Sequence, residues 1–176
     1  ATDGDNGTYR TSLYLDEAAV DGSSWIPWIL RLISELPVLF GSGYSLTEYN
    51  AKHVFVEHHP GGGWSEGALG VSNAEFQQFL PGIYWLTVFG QELAAGLDFS
   101  GLSQLPVTVT TLPSGGRMLR IDEPLVPLEM ANRLELEARI ADVLGARHFF
   151  DRNRPDCHFE HPPAFQAMLD QLAGRK

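Results

Sequence analysis

The sequence predicts a single α+β domain over residues 1–176, with a mostly antiparallel sheet packed by several helices. Helical and strand periodicities alternate along the chain, and one strand pair is joined by a glycine-bearing turn too tight for a parallel crossover. No repeat, low-complexity tract or linker divides these segments. A chain of 176 residues is long enough to bury roughly 70% of its unfolded surface around one core. Its 44% hydrophobic and 19% charged residues are a globular composition, not a disordered one.

Thr8 to Asp16 alternates, with Tyr9, Thr11, Leu13 and Leu15 on one side, and reads as a strand. Ser23 or Ser24 as N-cap, Pro27 in the first turn, and the spacing of Trp25, Trp28, Ile29, Leu32, Ile33 and Leu36 predict a helix over about 24–35. Pro37 should end it, and Gly41-Ser42-Gly43 reads as a loop. Lys52 to His58 reads as a short strand, broken at Pro60-Gly61-Gly62-Gly63, and the glycines through Gly70 argue against regular structure. Ser72 with Glu75 forms a capping box ahead of Phe76, Phe79 and Leu80, which predicts a short helix stopped by Pro81-Gly82. Ile83 to Phe89 is almost wholly apolar, so it should be a central strand covered on both faces. Glu92 to Leu97 reads as one or two helical turns. Residues 106–112 and 117–122 form a hairpin through Pro113-Ser114-Gly115-Gly116. The longest helix runs from about Glu129 to Leu144, with Gly145 at its C-terminus, and Pro163 opens a last helix carrying Phe165, Met168, Leu169 and Leu172.

The charge is uneven. The formal net charge is -10, and residues 1–116 hold three basic side chains (Arg10, Arg31, Lys52) against twelve acidic ones. Between His53 and Gly116 there is no Lys or Arg. Nucleic-acid binding needs cationic side chains to displace condensed counterions, so direct binding to DNA or RNA is disfavoured and a basic protein partner favoured. The single cysteine, Cys157, excludes an intrachain disulfide and favours a cytoplasmic workplace. No apolar run is long enough for a membrane helix. The acidic start, Ala1 to Gly7, is unlike a secretory signal, although the missing initiator Met leaves a removed segment open.

Two constellations could carry chemistry. Cys157, His158 and His161 lie with Asp156 and Glu160 in one short segment and could serve a metal-assisted hydrolase, but they lack the paired spacing that holds ligands on a rigid element. His58-His59-Pro60-Gly61-Gly62-Gly63 is glycine-rich like an oxyanion loop, yet no G-x-S-x-G nucleophile elbow accompanies it, and no phosphate-cradling motif occurs. No catalytic residue and no cofactor are therefore expected. Aromatic residues within acidic surroundings suit a protein interface, because Trp and Tyr give large contact area while carboxylates steer a basic partner. The expected partner-binding set is Tyr44, Glu48, Glu57, Trp64, Glu66, Glu75 and Asp98, with Trp64 as anchor.

A family resemblance points the same way. Gly82-Ile83-Tyr84-Trp85-Leu86, then Phe89-Gly90-Gln91-Glu92-Leu93, the hairpin through Gly115-Gly116, Asp122-Glu123-Pro124-Leu125 and the helix ending Leu144-Gly145 occur in that order. This order resembles the immunity protein 52 family of bacterial polymorphic-toxin and type VI secretion systems. The resemblance implies a small cytoplasmic protein, not an enzyme, that binds and silences a cognate toxin effector, a nuclease of restriction-endonuclease-like fold. It fixes no interface, and the sequence leaves three matters open: a homodimer, an adaptor role in another assembly, and the metal-assisted hydrolase.

Overall fold

The computed structural model describes residues 25–36, 38–68 and 80–150, without the side chains of 55–57 and 66–68. Within these residues the fold is α+β, built on a four-stranded antiparallel sheet in the order β1-β4-β6-β5 and a separate β2-β3 hairpin. The expected strand over 8–16, the helix following Ser72 and the helix opened by Pro163 lie outside the described residues.

Helix α1 spans Ile26–Glu35. Its N-cap is Trp25, with no capping side-chain hydrogen bond; Ser23 and Ser24 lie outside the described residues. Leu36 is extended at φ -111° and ψ 143°, the conformation imposed on a residue that precedes proline. The helix turns Ile33 inward, with Ile26, Ile29 and Leu30 against the core. Trp28, Leu32 and Leu36, expected on the buried side, are instead exposed. The segment is apolar almost all round, so its spacing fits two stripes, and the sheet selects one of them.

Strand β1 (Phe40–Gly43) replaces the expected loop. It pairs with β4 (Leu86–Phe89), Gly43 standing opposite Leu86. A Cβ on Gly43 would lie 3.2 Å from the Leu86 side chain and 3.6 Å from the Trp25 ring, so glycine here is a matter of close approach. Strand β4 is buried at all four positions and pairs with β1 and β6, the central placement its apolar run predicts. Val88 and Leu86 face the same side as Gly41 and Gly43, where Trp25 of the α1 terminus lies. Thr87 and Phe89 face the other side, and Phe89 meets Phe40 and Phe99 edge to face.

Helix α2 (Leu46–His53) is an element the sequence reading lacked, and it takes Lys52 and His53 from the expected strand. Strand β2 (Val54–His58) follows directly and pairs with β3 (Trp64–Ala68), which corrects the expectation of irregular structure beyond Gly63. The turn between them closes with His59 N–H donating to Gly63 O at 3.1 Å, and Gly61, Gly62 and Gly63 all hold positive φ. Helix α3 (Gln91–Ala95) and a 3-10 turn (Ser100–Gln104) lead into the β5 (Val107–Thr111) and β6 (Arg117–Ile121) hairpin, as expected. Helix α4 spans Met130–Leu144 and ends at Gly145, φ 102°. It buries Arg133, Leu136, Glu137, Ile140 and Leu144, one stripe at helical spacing. One cluster of buried residues joins Ile33, the strand interiors, Leu102 and the α4 stripe.

Gly90 shows how tightly the sheet end is packed. A Cβ there would lie 2.2 Å from the Val38 carbonyl oxygen and 2.9 Å from that of Leu39, both rigid backbone. Gly90→Ala is expected to destabilise the fold by about 1–3 kcal/mol, read from its urea midpoint. An unchanged midpoint would mean that the β1 end yields freely.

Candidate functional site

Ser45 caps α2, its hydroxyl accepting from Glu48 N–H at 3.0 Å. The cap starts the helix so that Glu48 and Lys52, one turn apart, share a face, with His53 beside them. Helix α4 presents Arg133 and Glu137 with the same spacing. These side chains meet in a buried ion network.

Lys52 Nζ lies 3.0 Å from Glu48 Oε1 and 2.7 Å from Glu137 Oε2, donates to the Ile83 carbonyl, and stands 3.9 Å over the Tyr84 ring. Its three N–H donors are therefore all engaged. Glu48, fully buried, also accepts from Trp85 N–H at 3.0 Å and faces Arg133 at 3.5 Å. The Arg133 guanidinium, also fully buried, donates to Glu123 Oε2 at 3.3 Å and to Pro124 O at 2.7 Å. Trp85 Nε1 donates to Glu123 O at 2.7 Å. The network thus ties α2, the start of β4, the β6–α4 loop and α4 together.

Burial raises the Glu137 carboxyl to about 8, reinforced by the neighbouring Glu48 charge, while Lys52 pulls the other way. Desolvation wins because Lys52 divides its charge between two carboxylates. With Glu137 protonated, Glu48 and Glu123 balance Lys52 and Arg133. Burial, with the neighbouring Tyr44, Glu48, Glu137 and Tyr49, also pushes the Tyr84 phenol well above its ordinary range, so it stays neutral. Its hydroxyl lies 3.0 Å from His53 Nε2, and its ring is 5.0 Å from Tyr44, which is 5.5 Å from Tyr49. With every donor of Lys52 held and the Tyr84 phenol kept neutral, these two groups bind helices together; neither is poised as a nucleophile or base.

The expected partner-binding residues separate. Trp64 is 66% exposed where β3 leaves the three-glycine turn. Glu57 and Glu66 lie on β2 and β3 of the same hairpin, with side chains outside the description. Asp98 is exposed in the loop between α3 and the 3-10 turn, where a hydrogen bond from Ser100 N–H at 2.9 Å holds its carboxyl below the usual range. Tyr44 is half-buried in the ring cluster. Glu48 is a correction: its carboxylate is spent inside on Lys52, Arg133 and Trp85 and cannot reach a partner. Glu75, Cys157, His158 and His161 lie outside the described residues. Among the described residues no group of three or more His, Cys, Asp or Glu could hold a metal ion, and no helix is long and apolar enough to cross a membrane.

Lys52, Arg133 and Glu137 escaped the sequence reading as site residues. Ser45-Leu46-Thr47-Glu48 carries the S-x-x-E signal of a helix start, and it would have placed Glu48 and Lys52 on one helical face. No protein-family model matches the chain, and neither a curated protein nor a solved structure matches it.

Proposed function

We propose that the protein is a stoichiometric inhibitor, an immunity protein that captures a basic toxin nuclease in the cytoplasm and denies it nucleic acid. The observation that carries this reading is Trp64, two-thirds exposed beside the three-glycine hairpin turn, within a stretch from His53 to Gly116 that has no Lys or Arg. An exposed tryptophan held by a strand offers a large contact without much side-chain freedom to lose. The surrounding negative charge attracts the cationic groove with which a nuclease holds phosphates. The order of residues from Gly82 to Phe150 that resembles the immunity protein 52 family supports the same class. The ion network belongs to the scaffold, because α2, which it pins, runs into β2 without an intervening residue.

Co-expression with the product of the adjacent gene tests the reading. A one-to-one complex without nuclease activity is expected, and free nuclease activity beside uncomplexed protein would overturn it. In that complex, Trp64→Ala is expected to speed dissociation by about tenfold or more, while the free protein's stability changes by less than about 0.5 kcal/mol. Raising salt should slow association by about tenfold or more if charge steers the encounter. An association rate indifferent to salt would remove the electrostatic part, and an unchanged dissociation rate in Trp64→Ala would move the anchor elsewhere.

A further inference from the structure

At the turn end of the β2–β3 hairpin, residues 58–65 are all exposed. Gly61, Gly62 and Gly63 hold φ of 104°, 93° and 102°, and a Cβ on any of them would meet nothing within 4 Å. Two backbone hydrogen bonds close the turn, His59 N–H to Gly63 O and Gly62 N–H to His59 O. The carbonyls of Pro60, Gly61 and Gly62 take part in neither, nor in any bond to the rest of the described chain. With no side chains on the glycines, this stretch of acceptors can be approached closely. Trp64 follows at once and is 66% exposed. Among the described residues, no ring and no cation meets its indole. The nearest Lys or Arg in sequence, Lys52, has its donors engaged in the ion network. His58, opposite Trp64 in register, is an exposed imidazole and carries no permanent charge.

We infer that, within the docking role proposed above, Trp64 and the glycine tip receive an arginine side chain of the partner, its guanidinium stacked on the indole face and donating to the tip carbonyls. Three features select this occupant. The indole is the aromatic ring that attracts a cation most strongly. The chain carries a formal charge of -10 and has no Lys or Arg from residue 54 to residue 116, so its field draws a cation in and gives it no rival. The carbonyls beside the ring ask for a group that offers several donors at once. An ammonium also stacks on indole, but it is a compact, strongly hydrated point charge. A guanidinium is planar and more weakly hydrated, so it can lie flat on the ring while its fork of N–H groups reaches the main chain. The N–H groups of Gly61 and Gly63 are open as well. An anion that used them would find no permanent positive charge in the hairpin and would enter against the field of the whole chain.

Calorimetric titration of the full chain with an arginine octapeptide and with a lysine octapeptide of equal charge tests this. The arginine peptide is expected to bind about threefold tighter or more, and to shift the NMR signals of the Trp64 indole N–H and of the amides of residues 61–63. Trp64→Leu, at an exposed position, keeps the fold and should bind the two peptides alike, at the strength that charge alone gives. Trp64→Phe, which keeps a ring face, should retain part of the preference. A lysine peptide that binds the natural chain as tightly as the arginine peptide, or more tightly, overturns the inference. So does an arginine preference that survives in Trp64→Leu. An aspartate octapeptide that binds more tightly than either would make the tip an anion site and overturn it too. A toxin complex that forms while the two cationic peptides bind alike would sink the arginine contact alone; an arginine preference without any toxin complex would sink the immunity reading alone.

Discussion

Arg133→Ala is expected to destabilise the fold by about 3–5 kcal/mol, read as a large fall in the urea midpoint. The guanidinium has no exposed surface, and it neutralises Glu48, which has none either. Glu48 Oε2 has no hydrogen-bond partner even with Arg133 in place, so removing the guanidinium takes away its one facing positive charge, and also strips the Pro124 carbonyl and Glu123 of their donor. Desolvation of an unpaired charge outweighs the lost contacts themselves. Arg133→Met combined with Glu48→Gln should therefore cost less than Arg133→Ala alone, although it alters more atoms. The glutamine oxygen can still accept from Trp85 N–H, and Lys52 keeps Glu137. A single substitution costing under about 1 kcal/mol, or a double one costing more than the single, would show that the network does not hold α4 to α2.

The network also shows where the sequence stopped being legible. Elements closed by chain chemistry were readable: Pro37 ends α1, Gly145 ends α4, and Pro113 to Gly116 turns the β5–β6 hairpin. The apolar run into β4 announced a central strand. Helix α2 was hidden from hydrophobic periodicity because its inward face is Ser45, Glu48 and His53, and that periodicity does not register buried polar groups; its capping signal alone marked it. Strands β1 and β3 were hidden by their glycines, which in β1 answer to the nearness of Leu86 and Trp25, a tertiary fact. Glu48 was misplaced because a glutamate is by default a surface group. Nothing local tells that the pair Glu48–Lys52 faces the pair Arg133–Glu137. The exposure of Trp64, by contrast, follows from the glycines before it, which supply no side chains to cover it.

That misplacement bears on function. The carboxylate first assigned to a docking surface instead fixes α2, and His53, the last residue of α2, is followed at once by Val54 of β2. Helix α2 is thus the footing of the hairpin that displays Trp64, and under the proposed docking role a fixed footing would preorganise Trp64 and lower the ordering cost of binding. The described carboxylates include those that build the scaffold, Glu48, Glu123 and Glu137, and exposed ones such as Asp98 that contribute to the field around it.

Glu137 gives the second large effect, a fall of stability with rising pH. Its carboxyl is near 4.5 when unfolded and raised to about 8 when folded, chiefly by burial. The folded chain therefore binds a proton that the unfolded chain has released throughout this window. The sign follows: stability from this group is complete below about 4.5, declines as pH rises, and levels off above about 8. At about 1.4 kcal/mol per pKa unit the decline reaches a few kcal/mol. Asp98, lowered rather than raised, acts oppositely and only in more acid solution. Glu137→Gln keeps an acceptor for Lys52 and carries no titratable carboxyl, so it imitates the neutral form. Urea midpoints at pH 5, 7 and 9 should fall steadily for the natural chain and stay much flatter for the variant, which becomes the more stable of the two at pH 9. Parallel pH profiles would mean that Lys52 at 2.7 Å holds Glu137 ionised, and that the network keeps its net negative charge without a buried proton.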